Sequence, residues 1–221
     1  MIIDERMVTY INSLDTGHTP FLENLERTAK QDRVPIIRRE MQSFLKVFLK
    51  MKQPKRILEV GTAVGFSAVF MAQYGEPNAE ITTIENYEKR IPITRGNFEK
   101  SGFANRITLI PGDAAEVLKT LDGPYDFIFM DAAKGQYIHF LPEVLRVLDK
   151  NGVLITDNVL QDGDVIESRF AVERRNRTIH KRMREYLFEL THNEGLLTSV
   201  VPLGDGIAIT MKSHEKREET T

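Results

Sequence analysis

The stretch "RILEVGTAVGFSAVFMA" (residues 56–72) decides the fold class. Its first part is a short run of aliphatic residues that stops at Gly61, and from Gly65 the chain turns into an apolar stretch of helical length. A strand that becomes a helix through a glycine turn is the opening unit of a parallel α/β sheet. Gly61 and Gly65 allow the tight turn and let a ligand approach the backbone closely. The pattern is Glu-x-Gly-x-x-x-Gly, with Ala63 where a middle glycine would stand. It lacks the G-x-G-x-x-G spacing that seats a pyrophosphate on a helix N-terminus. It suits a nucleotide cofactor without a pyrophosphate better than NAD or FAD, and a merely structural turn is the other reading.

Outward from this stretch the same alternation continues. Strands are expected at 56–61, 80–85, 106–111, 125–131 and 152–158, with helices near 65–74, 87–101, 114–121 and 137–149. Apolar strands alternating with amphipathic helices give a doubly wound, Rossmann-like α/β sheet, mostly parallel and covered on both faces. Then the alternation breaks. A long polar helix over about 168–194 is followed by "LLTSVVPLGDGIAITMK" (196–212), whose Asp205-Gly206 pair signals a hairpin and hence an antiparallel pair at one edge. Helices near 4–14, 19–31 and 36–52 precede the sheet and should form a lid or a partner surface. Residues 1–213 read as one domain with a helical N-terminal segment at 1–52. The tail "HEKREETT" (214–221) lacks apolar anchors and reads as disordered.

Composition sets the frame. The chain has 221 residues, 41% hydrophobic and 28% charged, with no cysteine, so disulfides, thiolate metal sites and cysteine nucleophiles are excluded. Its apolar runs are too short to cross a bilayer, and "MIIDERMVTY" carries acids where a secretory signal would be basic. A cytoplasmic protein without a membrane partner is expected. The net charge is −2, yet the bases are concentrated. Arg38, Arg39, Lys46, Lys50, Lys52, Lys55 and Arg56 face the single acid Glu40 within 36–56. Arg169, Arg174, Arg175, Arg177, Lys181, Arg182 and Arg184 face the single acid Glu173 within 169–184. Such runs are either solvated helix faces or the footprint of an anionic partner.

In an open parallel sheet, ligands bind beyond the carboxyl ends of the strands. Those ends are acidic here. Glu85 closes the second strand, where an acid usually accepts a ribose, although it would also complement a helix dipole. Asp113 follows the third strand and either caps the next helix or accepts an adenine amino group. Asp131 ends the fourth strand and Asp157-Asn158 the fifth. If these two strands are neighbours, three oxygen-bearing side chains converge, a set that selects Mg²⁺, Mn²⁺ or Ca²⁺ over Zn²⁺. Caps and turns without a metal are the alternative.

Taken together, "RILEVGTAVGFSAVFMA", "ITTIE", "GDAAEVL", "YDFIFMDAAKGQY" and "GVLITDNVL", in this order and spacing, resemble the cation-dependent O-methyltransferases of the catechol and caffeoyl-CoA type, which use S-adenosylmethionine. The likeness runs from about 36 to 211 and includes the terminal "PLGDGIAIT". The resemblance implies S-adenosylmethionine held by Glu59, Gly61 and Ser67, with Glu85 on the ribose and Asp113 and Ala114 on the adenine side. It implies Asp131 on both cofactor and metal, Asp157 and Asn158 as further metal ligands, and Lys134 as general base. Ile36 would lie over the cofactor, in a segment that departs from the family pattern by having Met41 in place of glycine. Homodimerisation is a further family-level expectation.

That chemistry asks for an acceptor with two adjacent oxygens, one of them a hydroxyl. Catechols qualify, and so does 5-hydroxyuridine. The two basic stretches favour an acceptor on a polyanion, and the chain resembles the bacterial branch that methylates 5-hydroxyuridine at the tRNA wobble position to 5-methoxyuridine. Arg174, Arg175, Arg177, Lys181 and Arg182 are the expected tRNA-binding residues, meeting the anticodon loop, whose bases can be splayed into a pocket. The rival readings are a small-molecule catechol or phenylpropanoid methyltransferase, a non-methylating dinucleotide enzyme and a catalytically silent RNA-binding protein.

Overall fold

A computed structural model describes residues 4–213, and the tail expected at 214–221 lies outside the described residues. The strands are β1 (Arg56–Val60), β2 (Glu80–Glu85), β3 (Ile107–Pro111), β4 (Tyr125–Met130), β5 (Leu148–Thr156), β6 (Leu196–Val201) and β7 (Ile207–Lys212). The helices are α1 (Glu5–Ser13), α2 (Pro20–Gln31), α3 (Arg39–Lys52), α4 (Phe66–Tyr74), α5 (Ile91–Ser101), α6 (Ala114–Thr120), α7 (Tyr137–Val147) and α8 (Arg177–His192). Among the described residues, no helix is long and apolar enough to cross a membrane.

The strands form one sheet in the order β3-β2-β1-β4-β5-β7-β6. The first five strands of that order run parallel, while β7 is antiparallel to both β5 and β6. The expected hairpin is present, with one addition. The last strand inserts between β5 and β6, so β6 takes the edge. Strand order reverses between β1 and β4, and this switch point is where an open α/β sheet places its ligand crevice.

Alternation along the central strands splits the core in two. Ile57, Phe127, Phe129 and Ile155 face one side, packed by Leu22 of α2, Leu45 and Leu49 of α3 and Phe66 and Phe70 of α4. Leu58, Ile128, Met130 and Leu154 face the other side, packed by Phe140 and Val144 of α7 and Met183, Tyr186 and Leu190 of α8. Strands buried on both faces read as continuous apolar runs, which is why β4 is YDFIFM.

The long helix expected over 168–194 is shorter. It begins at Arg177, and residues 161–176 instead form two short 3₁₀ turns joined by irregular backbone. Asp162 and Gly163, both at positive φ (51° and 99°), belong to the irregular backbone that leads into it. Side chains then hold the segment to α8. Arg177 donates from Nε to the Val172 carbonyl (3.1 Å), and Arg184 from Nη1 to the Val165 carbonyl (2.8 Å).

Candidate active site

The glycine turn after β1 builds the floor of the site. Gly61 has φ +102°, and a Cβ placed there would lie 2.0 Å from the Asp131 carbonyl oxygen. Glycine is required for β1 and β4 to end side by side. Two α5 side chains then pin the turn, Thr94 Oγ1 donating to the Ala63 carbonyl (2.7 Å) and Asn97 Nδ2 to the Val64 carbonyl (2.8 Å). Glu85, at the tip of β2, accepts the Ala63 N–H at 2.7 Å and the Tyr87 N–H at 2.8 Å. Its carboxylate is thereby fixed at the carboxyl edge with lone pairs to spare. Asp113 accepts the Ala115 N–H at 2.8 Å, so the capping reading of this residue holds, and its side chain also lines the cavity.

A cavity of about 700 Å³ opens along this edge. Ile36, Gly61, Ser67, Glu85, Asp113 and Ala114 line it, and so do Asp131, Lys134, Asp157 and Asn158. Met41, the departure from the family pattern, is buried and also lines it, beside Ile36. Of the expected cofactor residues only Glu59 stands back from the wall, fully buried in the middle of β1. Thr83 donates to one of its carboxylate oxygens, and the other has no hydrogen-bond partner among the described residues. Burial pushes the Glu59 carboxyl up to about 8, against the pull of the Thr83 hydroxyl.

β4 and β5 are parallel neighbours with Met130 opposite Thr156, which brings Asp131 and Asp157 to matching positions at the sheet edge. Asn158 follows in the left-handed region (φ 62°), which asparagine tolerates better than most residues. Its Nδ2 donates to Asp131 Oδ1 (3.1 Å) and its backbone N–H to Asp157 Oδ1 (2.7 Å). Tyr137, wholly buried, ties the two strand ends together, its one hydroxyl proton shared between the Ala132 and Asp157 carbonyls, each 3.2 Å away. Burial pushes Asp131 up to about 6 despite the nearby Lys134 ammonium and the Asn158 hydrogen bond. Burial and then the charge of Asp131 push Asp157 up to about 7.

Two buried carboxylates at adjoining strand ends, the charge of Asp131 raising the proton affinity of Asp157, with an amide that can offer its oxygen, make a donor set suited to a hard divalent cation. Asp131, Asp157 and Asn158 fit Mg²⁺ on this ground. Among the described residues no group of three His, Cys, Asp or Glu side chains is placed to hold a metal. A site of two carboxylates and an amide needs none.

Lys134 begins a short turn after β4, and its Nζ donates to Asp205 Oδ2 at 2.8 Å. Asp205 sits at the β6–β7 hairpin tip, is only 2% exposed, and also accepts the Asp162 backbone N–H. The hairpin is pressed against the loop after β5 by hydrogen bonds from Val159 N to the Gly206 carbonyl (2.9 Å) and from Leu160 N to the Asp205 carbonyl (2.9 Å). Asp205 is the site residue that sequence reasoning missed. Its signal was the Gly-Asp-Gly triplet, read only as a turn.

The expected tRNA-binding residues are divided by their contacts. Arg174, Arg175 and Lys181 are exposed, with Arg175 paired to Glu173 and Lys181 to Glu185. Arg177 spends its guanidinium on the Val172 and Phe170 carbonyls. Arg182 Nη1 donates to the Gly135 carbonyl at 3.1 Å, which ties α8 to the Lys134 turn.

The doubly wound sheet, its switch-point cavity and the acidic strand ends define the class of α/β proteins that bind a ligand along the carboxyl edge of the sheet. The family profile described as O-methyltransferase matches residues 12–213, and the chain belongs to that family. It is 29% identical over 160 residues to a catechol O-methyltransferase of Mycobacterium tuberculosis, covering 71% of this chain and 73% of that protein. It is 31% identical over 182 residues to caffeoyl-CoA O-methyltransferase 1 of Arabidopsis thaliana, covering 75% and 67% respectively. The crystal structure of the SAH-bound Podospora anserina methyltransferase PaMTH1 superposes with a TM-score of 0.86 at 26% identity, covering 95% of this chain and 94% of that one.

Proposed function

We propose that this O-methyltransferase uses S-adenosylmethionine and Mg²⁺ to methylate the 5-hydroxyl of 5-hydroxyuridine at the tRNA wobble position, giving 5-methoxyuridine. The observation that carries the reading is one cavity shared by the Asp131, Asp157 and Asn158 oxygen set and the Lys134–Asp205 pair, with the basic N-terminal half of α8 tied to its lip through Arg182. The SAH-bound structural relative supports the cofactor.

Glu85, already anchored by two backbone amides, would accept the ribose hydroxyls, and Asp113 and Ala114 would meet the adenine. Asp131, Asp157 and Asn158 would hold the cation. When bound, it supplies the Lewis acidity that makes one of two adjacent acceptor oxygens a stronger acid. Lys134 takes that proton at Nζ, and the buried Asp205 carboxylate stabilises the resulting ammonium. Methyl transfer forms an O–C bond as the S–C bond breaks, so the walls around Ile36 and Met41 act by fixing the in-line approach and excluding water.

Incubating tRNA from cells that lack the protein with purified enzyme, S-adenosylmethionine and Mg²⁺, followed by nucleoside mass spectrometry, tests the reading. Conversion of 5-hydroxyuridine to 5-methoxyuridine that EDTA abolishes is expected. Methylation of a catechol with tRNA left untouched would instead favour a small-molecule acceptor. That second reading is supported by the names of the Mycobacterium tuberculosis and Arabidopsis relatives. A second copy of the chain is the proposed cover for Met7, Tyr10 and Leu14 of the α1 segment and Val47 and Met51 of α3, all exposed apolar side chains. A monomeric sedimentation coefficient at micromolar concentration would remove it.

A further inference from the structure

The cavity has two ends of different chemistry. Glu85, Asp113 and Ala114 mark one end. Asp131, Asp157 and Lys134 mark the other, roofed by Gly204 and Asp205 of the hairpin. Arg38 stands over this second end. Arg38 lines the cavity, and its side-chain stem runs past the hairpin, where a Cβ added to Gly204 would lie 3.6 Å from Arg38 Cδ.

Two cationic side chains therefore serve the acceptor end, Lys134 and Arg38, and they are held very differently. Lys134 is bound at 2.8 Å to a carboxylate that is almost wholly buried. Arg38 reaches Asp162 at 3.5 Å, and both members are open to solvent, with side chains 41% and 67% exposed. An exposed pair at that distance contributes about 0–1 kcal/mol, so an anion of better geometry displaces it readily. A phosphate is such an anion, because it takes arginine through two parallel hydrogen bonds. Asp162 itself is kept in place independently of Arg38, by its backbone N–H on Asp205. Arg38 can leave without unfolding the segment that carries its partner.

We propose that Arg38 and Asp162 form an exchangeable ion pair at the acceptor end of the cavity, which Arg38 leaves to bind a phosphate carried by the acceptor. Resting on the tRNA reading above, that phosphate is a backbone phosphate beside the target uridine. Arg182 on the Gly135 side and Arg38 on the hairpin side then place positive charge on both lips of the opening. A phosphate-free catechol gains nothing from the exchange, so the pair discriminates between acceptors. Asp162 acts as the competing anion that keeps Arg38 from being an indiscriminate anion trap.

The test compares Arg38→Gln and Asp162→Asn with wild type, each first shown by thermal melting to be folded. The acceptors are an anticodon stem-loop carrying 5-hydroxyuridine, caffeoyl-CoA as a phosphate-bearing small acceptor, and 3,4-dihydroxybenzoate as a phosphate-free one. Arg38→Gln is expected to raise KM for the stem-loop about tenfold more than for 3,4-dihydroxybenzoate, and to reduce the salt slope of RNA binding by about one. Asp162→Asn is expected to move KM for the stem-loop the opposite way, since it removes the competitor. If wild type ignores the stem-loop but the same opposed pattern holds with caffeoyl-CoA, the phosphate assignment stands and the tRNA reading falls. Equal shifts on all three acceptors, or shifts of the same sign in both variants, overturn the exchangeable pair whatever the acceptor is.

Discussion

Lys134 Nζ lies 2.8 Å from Asp205 Oδ2, a carboxylate 71 residues further along the chain and almost fully buried. The lysine comes from the turn after β4 and the aspartate from the hairpin before β7, so the pair reaches past β5 to tie the end of β4 to the hairpin.

Replacing Asp205 by Asn tests that pair. The amide keeps the size and still accepts from the Asp162 N–H, but it no longer balances an ammonium. We expect kcat to fall about a hundredfold or more, with stability lowered by about 1–3 kcal/mol. Methyl transfer and urea unfolding measured on the same preparation would separate the two effects. Wild-type kcat in a folded variant would show that Lys134 does not need its partner.

The strand-end carboxyls give the cation-free protein a defined pH response. Asp131, Asp157 and Glu59 have folded values near 6, 7 and 8, all above the ordinary carboxylate range. The folded chain therefore holds more protons than the unfolded chain between about pH 4 and 8, and its stability falls as pH rises through that window. In EDTA, Tm should drop across this range. Asp157→Asn should raise Tm by about 2–4 °C at pH 8, because it removes one of two repelling charges, while abolishing cation-dependent transfer. A Tm that is flat from pH 5 to 8, or a destabilised Asp157→Asn, would contradict the electrostatics.

Gly61→Ala addresses the backbone. The new methyl would be driven against the Asp131 carbonyl in a residue already at φ +102°. Relief requires β1 and β4 to separate at their ends, where the proposed cation ligands start. A loss of about 3 kcal/mol or more is expected from urea denaturation.

On α8 and the turn before it, the arginines are not equivalent. Arg174→Ala with Arg175→Ala should weaken tRNA binding and lower its salt slope by about two, with little change in Tm. Arg177→Ala should instead lower Tm, since its guanidinium holds the Val172 and Phe170 carbonyls. Filter binding across a salt series together with thermal melting distinguishes these outcomes. Identical behaviour of the two variants would rule out the division.

Much of this arrangement is legible in the chain. In a parallel sheet all carboxyl ends point one way, so acids that close successive strands meet at one edge without any knowledge of long-range contacts. Asp131, Asp157, Asn158 and Lys134 needed only the adjacency of β4 and β5 to come together. Asp205 needed more. Gly204-Asp205-Gly206 looks like any hairpin tip, and only the insertion of β7 between β5 and β6 carries it to Lys134. Local pattern does not encode that pairing. The true start of α8 was hidden for a similar reason. No proline marks it, and the side-chain hydrogen bonds of Arg177 and Arg184 to distant carbonyls decide where the helix begins.

The place of β7 has a consequence for how the protein is made. During synthesis the β4–β5 edge and the Lys134 turn are complete long before residues 205–212 exist, so a nascent chain presents an open β5 edge and a lysine without its carboxylate. Both are satisfied in one late event, when the final strand slides between its neighbours. Chains interrupted after Asn158 but before Asp205 should carry the proposed cation ligands yet be catalytically silent, and their unpaired β5 edge should make them the species that chaperones retain.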